Sequence, residues 1–426
     1  MKAIEHGQGD LAAMADVIAT AIVELHLETM QRVNVRYDLL VQESEILKLD
    51  FWKAAFELMK KTGAVRFEEA GKNRGCWVMS LGETPAGESA EEPTAEDVKI
   101  IVRSDGTVTY VGKDIAYHLW KFGLLGKDFG YEPFYQYGDG PQSAEVWRTA
   151  VQTKPGAPAF GHASEAYAVI DTRQSYLQDI VRAAFQALGY RDQAAKLHHF
   201  AYEVVGLTTR CAEELGIELS AEDRAKSMIE VSGRKGLGVK ADDIIDRLVV
   251  KALDEVRSRA VTQDETEQGV YARMIAVSAL RYFLLKVSSR MMIAFDFNDA
   301  LAFEGETGPY LQYSVVRARN IFRKYGESNP EFDSEPLVEL ASAEVRGRFL
   351  AEPEGRDFWE LTLLAAQLEM IVDQAISAEE PAVLAKYAFG WRRHSIISTI
   401  ATISSLSLTP PGRSFFFTSS PSSKEL

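Results

Sequence analysis

At 426 residues the chain is long enough for two packed domains, and its 46% hydrophobic and 26% charged residues exclude wholesale disorder and collagen-like order. A formal net charge of -15 excludes a general polyanion binder, although a local basic face stays open. Two cysteines, Cys76 and Cys211, are too few for a disulfide framework or a Cys-rich zinc site.

From Leu11 to Val33 the spacing predicts a helix, with Met14, Val17, Ile18, Ile22 and Leu25 on one stripe. Arg36–Val41 has strand character, and Asp50–Lys61 is helical again. Strands are expected at Val65–Glu68 and Cys76–Ser80, on either side of the turn-prone Gly71–Gly75. The acidic, Pro-containing stretch Glu83–Asp97 predicts an exposed loop. Lys99–Arg103, a turn at Ser104–Gly106 and the alternating Thr107–Val111 predict a hairpin that runs into a helix over Asp114–Phe122. Tyr131–His162 holds Pro and Gly; Ala166–Asp171 then predicts a buried strand feeding a helix over Gln174–Leu188.

Strand-then-helix alternation argues an open α/β sheet with ligands at the carboxyl ends of its strands. After Lys240 the pattern turns helical, with Ile245, Leu248, Val249, Ala252, Leu253 and Val256 on one stripe and Met274, Ile275, Ser278, Tyr282 and Leu285 on another. The expected fold class is therefore α/β followed by all-α, with the join between 241 and 305. No run of roughly 18 apolar residues argues a membrane span. The opening MKAIEHGQGD carries charges without an apolar core, so a cytosolic setting is expected.

Three segments place polar residues where a sheet meets its ligand. In Arg103–Gly123, Tyr110 is expected to end a strand and Asp114 to open a helix, both facing one crevice. A carboxylate there suits a guanidinium with its paired donors, while the plainer alternative is a helix N-cap. Gln174 follows the predicted strand, either at a binding loop or as surface filling on a first helical turn. Glu230–Lys240 holds Ser232, Gly233, Arg234, Lys235 and Lys240 with no acid after Glu230. Its glycines would let backbone N–H groups approach phosphate, its lysines supply charge, and the alternative is a flexible basic loop. The tandem His198-His199 suggests packing rather than metal ligation, Cys211 a buried thiol, and no metal site is expected.

The strings RSDGTVTYVGKDIAYHLWKFG and VSGRKGLGVKADD, followed by EGETGPYLQY with Arg317 and Arg319, resemble class I arginyl-tRNA synthetases over most of the chain to about Phe389. The resemblance implies a Rossmann-like catalytic domain over 1–240, expected to lack its first half, a connecting helical, stem-contact-type region over 241–304 and part of an anticodon-binding helical domain over 305–390. It implies that Tyr110, Asp114 and Gln174 recognise arginine, with Asp114 pairing the guanidinium. Ser232–Lys235 resembles a variant of the class I lysine loop, in which Lys235 and Arg234, with Ser232, would stabilise charge on ATP as catalytic groups. Ser232, Gly233, Lys235 and Lys240 would contact its phosphates. Arg317, Arg319, Arg323 and Lys324 would offer a basic face to tRNA(Arg). ATP is implied as a substrate, with Mg2+ from the reaction class and no tightly bound cofactor; the intact family implies a monomer and no membrane partner.

The sequence also departs from the family. No H-I-G-H-like string occurs, so the chain by itself is expected not to form arginyl-adenylate, leaving a tRNA- or partner-binding remnant as the alternative. From Trp391 the text becomes Ser-rich and loses helical periodicity. With Gly390 read as GGC, permitted codons in the shifted frame spell LAQAFNNFYH, as the family continues. Residues 391–426 are therefore expected to be a non-homologous, disordered tail that arises from a frameshift or gene-model error.

Overall fold

The structure is a computed structural model that describes residues 9–80, 98–138, 143–231, 238–259, 262–328, 351 and 353–390. The loop expected over 83–97 and the tail expected over 391–426 lie outside the described residues. Two compact units divide between Tyr202 and Glu203.

The first unit opens with helix α1 (Gly9–Arg32), then strand β1 (Leu39–Leu40), helix α2 (Glu43–Lys48) and helix α3 (Phe51–Thr62). Strands β2 (Arg66–Phe67), β3 (Trp77–Ser80) and β4 (Val98–Val102) form an antiparallel sheet in that order. Helix α4 (Tyr110–Lys121) follows, then the antiparallel hairpin β5 (Gly130–Tyr137) and β6 (Ala144–Ala150), on whose edge β1 lies parallel to β6. Strand β7 (Ala166–Asp171) leads through a short 3-10 turn into α5 (Ser175–Ala187) and α6 (Arg191–Ala195). Strand β8 (Leu197–Tyr202) then returns parallel to β7, Ala166 opposite Leu197. Parallel neighbours joined through helices are the βαβ arrangement that the alternating pattern predicts.

The core of this unit forms where α3, α4 and α5 pack together. Phe51, Ala55 and Met59 of α3 meet Ile115, Ala116 and Leu119 of α4 and Ile180, Ala184 and Phe185 of α5. Each set recurs every three or four residues, so each helix turns one apolar stripe inward. Phe122, just after α4, meets the Phe185 ring edge-on at 5.7 Å. Burying one such aromatic or aliphatic side chain contributes about 1.5–3 kcal/mol, which makes this cluster the main support of α4.

Three sequence expectations change here, and one hairpin is added. Thr107–Val111 is not a strand: only Val108 bridges, to Val102, and Tyr110 begins a helix. Tyr131–His162 contains the β5–β6 hairpin. Strand β7 is not buried, since Val169 is 66% exposed and Tyr167 45%. Helix α1 forms, but its stripe of Met14, Val17, Ile18, Ile22 and Leu25 faces solvent, and Leu27 is the side chain that packs, against Tyr137 and Val146.

The second unit contains β9 (Val205–Leu207), α7 (Thr209–Glu214), α8 (Ala221–Arg224), α9 (Ala241–Ser258), α10 (Glu265–Leu285), β10 (Ile293–Phe295), α11 (Phe297–Leu301), α12 (Gly308–Ser328), α13 (Pro353–Ala366) and α14 (Leu368–Ser377). Strands β9 and β10 pair in parallel. Leu207, Cys211, Ala212, Leu219 and Ile229 share one core with Leu248, Ala252, Ala272, Ala276 and Phe295. Within this unit residues 203–231 thus bury their apolar side chains among helices. No described helix is long and apolar enough to cross a membrane.

Candidate functional site

The turn that launches α4 is built from side-chain chemistry at each step. Gly106 takes φ +82, which a side chain would strain, and Thr107 N donates to Asp105 Oδ1 at 2.9 Å. Thr109, in extended geometry, occupies the N-cap position and its Oγ1 donates to the carbonyls of Ile100 and Ile101 at 3.2 and 3.1 Å. The helix start is thereby tied to β4. At Gly112 a Cβ would lie 2.7 Å from a Trp52 ring carbon and 2.9 Å from a Val108 methyl, so the glycine lets α4 lie close against α3.

This geometry removes the helix-cap alternative for Asp114. It does not open the helix; it sits one turn inside, where an N-cap role is impossible, and shares a face with Tyr110 four residues earlier. Tyr110 is 76% exposed and available to a ligand, while Asp114 is largely buried. Among the described residues no side chain hydrogen-bonds or ion-pairs with the Asp114 carboxylate. Burial, helped by the nearby Glu43 carboxylate and opposed by Lys121 and Lys113, raises its pKa from 3.8 to about 6. A half-desolvated carboxylate without an ion-pair partner among the described residues is stabilised in its charged form by a nearby cation.

Other side chains of α4 surround that carboxylate. Lys113 Nζ bonds Glu43 Oε1 at 2.9 Å and lies 5.9 Å from the Tyr110 ring centre. Lys121 Nζ sits 4.4 Å from the Tyr117 ring centre, its pKa lowered mainly by burial. His118 is buried and held neutral, with a pKa depressed to about 4 by desolvation. Its Nδ1 lies 2.8 Å from the Asp114 carbonyl, so the neutral ring donates there and helps fix the backbone that carries the carboxylate. Glu43 and Lys113 escaped the sequence reading, because their pairing spans 70 positions and only the fold brings them together.

Gln174 closes the 3-10 turn Thr172–Gln174 and occupies the N-cap position of α5, half-buried. Asp171 organises the turn: Arg173 donates to it from Nε at 2.9 Å, from Nη2 at 2.7 Å and from its backbone N at 2.8 Å. These bonds hold Asp171 at a pKa of about 2. Among the described residues no hydrogen bond joins Gln174 to Tyr110 or Asp114. The two segments meet through α4 and α5, and Lys99 of β4 lies 5.0 Å from the ring centre of the neighbouring Tyr176.

Of the basic loop, Ser232, Gly233, Arg234 and Lys235 lie outside the described residues. Lys240 is exposed at the N-cap position of α9. On α12, Arg317, Arg319, Arg323 and Lys324 are all exposed. At about 100° per residue, Arg317 and Lys324 fall on one side and Arg319 and Arg323 on another, so they form two stripes rather than one face. Arg323 is also paired with Glu327. His198 stacks on Tyr167 with ring centres 4.4 Å apart, and His199 Nε2 meets the Ile170 carbonyl at 3.1 Å, both packing contacts. Cys211 is fully buried, and burial pushes its thiol up to about 12.

Comparison with known proteins bears on these features. Residues 311–391 match the DALR anticodon binding domain. The arginine--tRNA ligase of Thermococcus kodakarensis is 33% identical over 344 residues, covering 80% of this chain and 49% of that protein. That of Thermus thermophilus is 34% identical over 306 residues, 72% of this chain and 46% of its own length. The solved Thermus thermophilus arginyl-tRNA synthetase superposes with a TM-score of 0.70 at 29% identity, covering 93% of this chain and 57% of that one. The chain spans about half the length of the curated relatives it matches.

Proposed function

We propose that this chain, which belongs to the arginyl-tRNA synthetase family, supplies the arginine-recognising face of an arginine–tRNA ligase, with Asp114 receiving the guanidinium. The observation that carries the reading is the Asp114 carboxylate, half-buried near Glu43, without a hydrogen-bond or ion-pair partner among the described residues, and on the same helix face as the exposed Tyr110. A guanidinium matches it because two parallel N–H donors satisfy both carboxylate oxygens and its charge offsets that of Asp114. Ligands without that charge leave the carboxylate unsatisfied, which is the stronger form of rejection. Gln174, at the head of α5, is assigned to the polar end of the same ligand, and Tyr110 to one wall.

In the full reaction, the arginine carboxylate attacks the α-phosphorus of ATP, delivered with Mg2+, and expels pyrophosphate. The terminal ribose hydroxyl of tRNA(Arg) then attacks the activated carbonyl and AMP leaves. Lys235 and Arg234 are assigned to stabilising charge on the phosphates during the first step, Ser232, Gly233 and Lys240 to binding them. Helix α12 and the helices C-terminal to it are assigned to tRNA, where Arg317 with Lys324 and Arg319 with Arg323 would track two phosphate rows. Recognition and activation are separable here: with no H-I-G-H string in the sequence, arginine binding without adenylate formation is expected for the chain alone. Arginine-dependent exchange of labelled pyrophosphate into ATP, above a mock preparation, is the contrary result.

The electrostatics give a signed pH test. Because burial near Glu43 holds Asp114 at about 6, a cationic ligand must compete with a proton below that pH. Arginine affinity should rise about tenfold per pH unit up to roughly 6 and level off above it. Calorimetry at pH 6 in two buffers of different ionisation heat should register proton release on binding. An affinity that stays flat between pH 5 and 8 would remove Asp114 from the site.

A further inference from the structure

We infer that the outward face and open edges of the β7–β8 sheet are a docking surface for a separate polypeptide: the part of an arginyl-tRNA synthetase that this chain does not span, which extends the sheet with parallel strands and covers that face. Docking here goes beyond arginine recognition and does not use Asp114.

Side chains alternate along a strand, so the parallel register fixes which residues share a face. Ala166 and Leu197 lie opposite each other on one face, and both are buried in the cluster that holds Ile180 and Ala184 of α5. The other face carries Tyr167 opposite His198, Val169 opposite Phe200 and Asp171 opposite Tyr202. Tyr167, Val169 and Tyr202 are all exposed there. His198 stacks on Tyr167 and orders this face, yet the tyrosine stays open to solvent.

A parallel sheet is ordinarily covered on both faces, because the crossovers that join its strands pack on them. Two strands are also fewer than a sheet needs for independent stability. Among the described residues β7 and β8 pair only with each other, so each presents an edge whose backbone N–H and C=O groups can take a further strand. The aromatic and β-branched residues at 167, 169, 200 and 202 are types that a covering layer buries. Length identifies the occupant. The chain spans about half of the relatives it matches, and the solved Thermus thermophilus chain extends well beyond the part that superposes. The unspanned part of such a relative is about as long as the spanned one, enough for both strands and a cover.

The test co-expresses the full chain with the unspanned part of the Thermus thermophilus enzyme as a separate, tagged polypeptide. Wild type is compared with Val169→Glu, which sets a charge on the outward face, and with Val169→Ile, which keeps it apolar. The expected result is a one-to-one complex in which the backbone amides of 166–171 and 197–202 exchange more slowly than in the chain alone. Val169→Glu should weaken the complex on the order of tenfold or more, and Val169→Ile should keep it. The thermal midpoint of the chain alone should be the same in both variants as in wild type, since Val169 is largely exposed there. Absence of a complex overturns the inference, and so does a complex that forms equally well with Val169→Glu. A dimer of the chain alone that Val169→Glu dissolves gives the face to a second copy and overturns it too. Arginine titrated into the same samples reads the Asp114 assignment separately, so the two failures are distinct.

Discussion

Asp114→Asn is expected to lower arginine affinity at least a hundredfold and, in the same protein, to raise stability at neutral pH. The two effects share one cause. In the fold the carboxylate has a pKa of about 6, above the ordinary 3.8, because burial and then Glu43 disfavour its ionised form. A carboxylate raised in this way weakens the fold wherever the unfolded chain is ionised and the folded chain pays to ionise with it. The penalty is complete above pH 6, shrinks between 6 and 4, and vanishes below both values. Asparagine removes the charge at nearly constant volume. A thermal midpoint that rises at pH 7.5, with a gain on the order of 2 kcal/mol that fades toward pH 4.5, is the expected stability result. The binding loss follows from replacing a charged, two-acceptor partner by a neutral amide with a single acceptor. A variant that keeps wild-type affinity, or that is less stable at every pH, would place Asp114 among ordinary structural residues.

The second large effect belongs to the other unit. Asp296 is 1% exposed and caps α11, accepting from the backbone N of Asn298 at 2.8 Å and of Asp299 at 3.3 Å. Arg210 donates to both of its oxygens, from Nε at 2.9 Å and from Nη2, and Thr208 Oγ1 adds a bond at 2.6 Å. Burial acts to raise the Asp296 pKa, but the bonds from Arg210 and Thr208 and the two backbone donors outweigh it and hold the group at about 2. Its contribution to stability is therefore present above the unfolded value near 3.8 and is lost as pH falls toward 2. Arg210→Ala leaves the buried Asp296 charge without its arginine and should lower stability at pH 7, by less than loss of a fully buried pair because the Arg210 side chain is 53% exposed. Adding Asp296→Asn keeps an N-capping oxygen without the charge and should restore a large part of that loss. Denaturant unfolding of the single and double variants separates the two cases; a double variant no more stable than Arg210→Ala would show that the charge is not what the arginine answers.

How much of this is written in the sequence depends on the range over which each residue acts. Helices α3, α4 and α5 are legible because their apolar residues recur within a few positions, and the Asp105-Gly106 turn because its chemistry is local. Thr107–Val111 misleads because alternation over five residues mimics a strand. The deciding feature is the pair of bonds from Thr109 to Ile100 and Ile101, which turns the chain into a helix at Tyr110. The β5–β6 hairpin is hidden by its proline. Pro133 has no N–H for the ladder, and the register shifts between Pro133 and Tyr135, an irregularity that accommodates it within a strand. Asp114 is legible as a candidate, yet the reason it is a good one is not. Its desolvation and the approach of Glu43 and Lys113 depend on α2 and α4 meeting across about 70 residues of sequence. The stripe on α1 shows the converse: periodicity reports that a helix forms and which residues share a face, but not whether anything packs on that face.

The central claim is that Asp114 makes this chain a receptor for the charged guanidinium of arginine. Citrulline has nearly the same shape and carries no charge, so the most direct measurement is calorimetric titration of the full chain at pH 7.5 with L-arginine and with L-citrulline. Binding of arginine at least a hundredfold tighter than citrulline, on the order of 3 kcal/mol, is the predicted result. Equal binding of the two, or no binding of arginine, would contradict it.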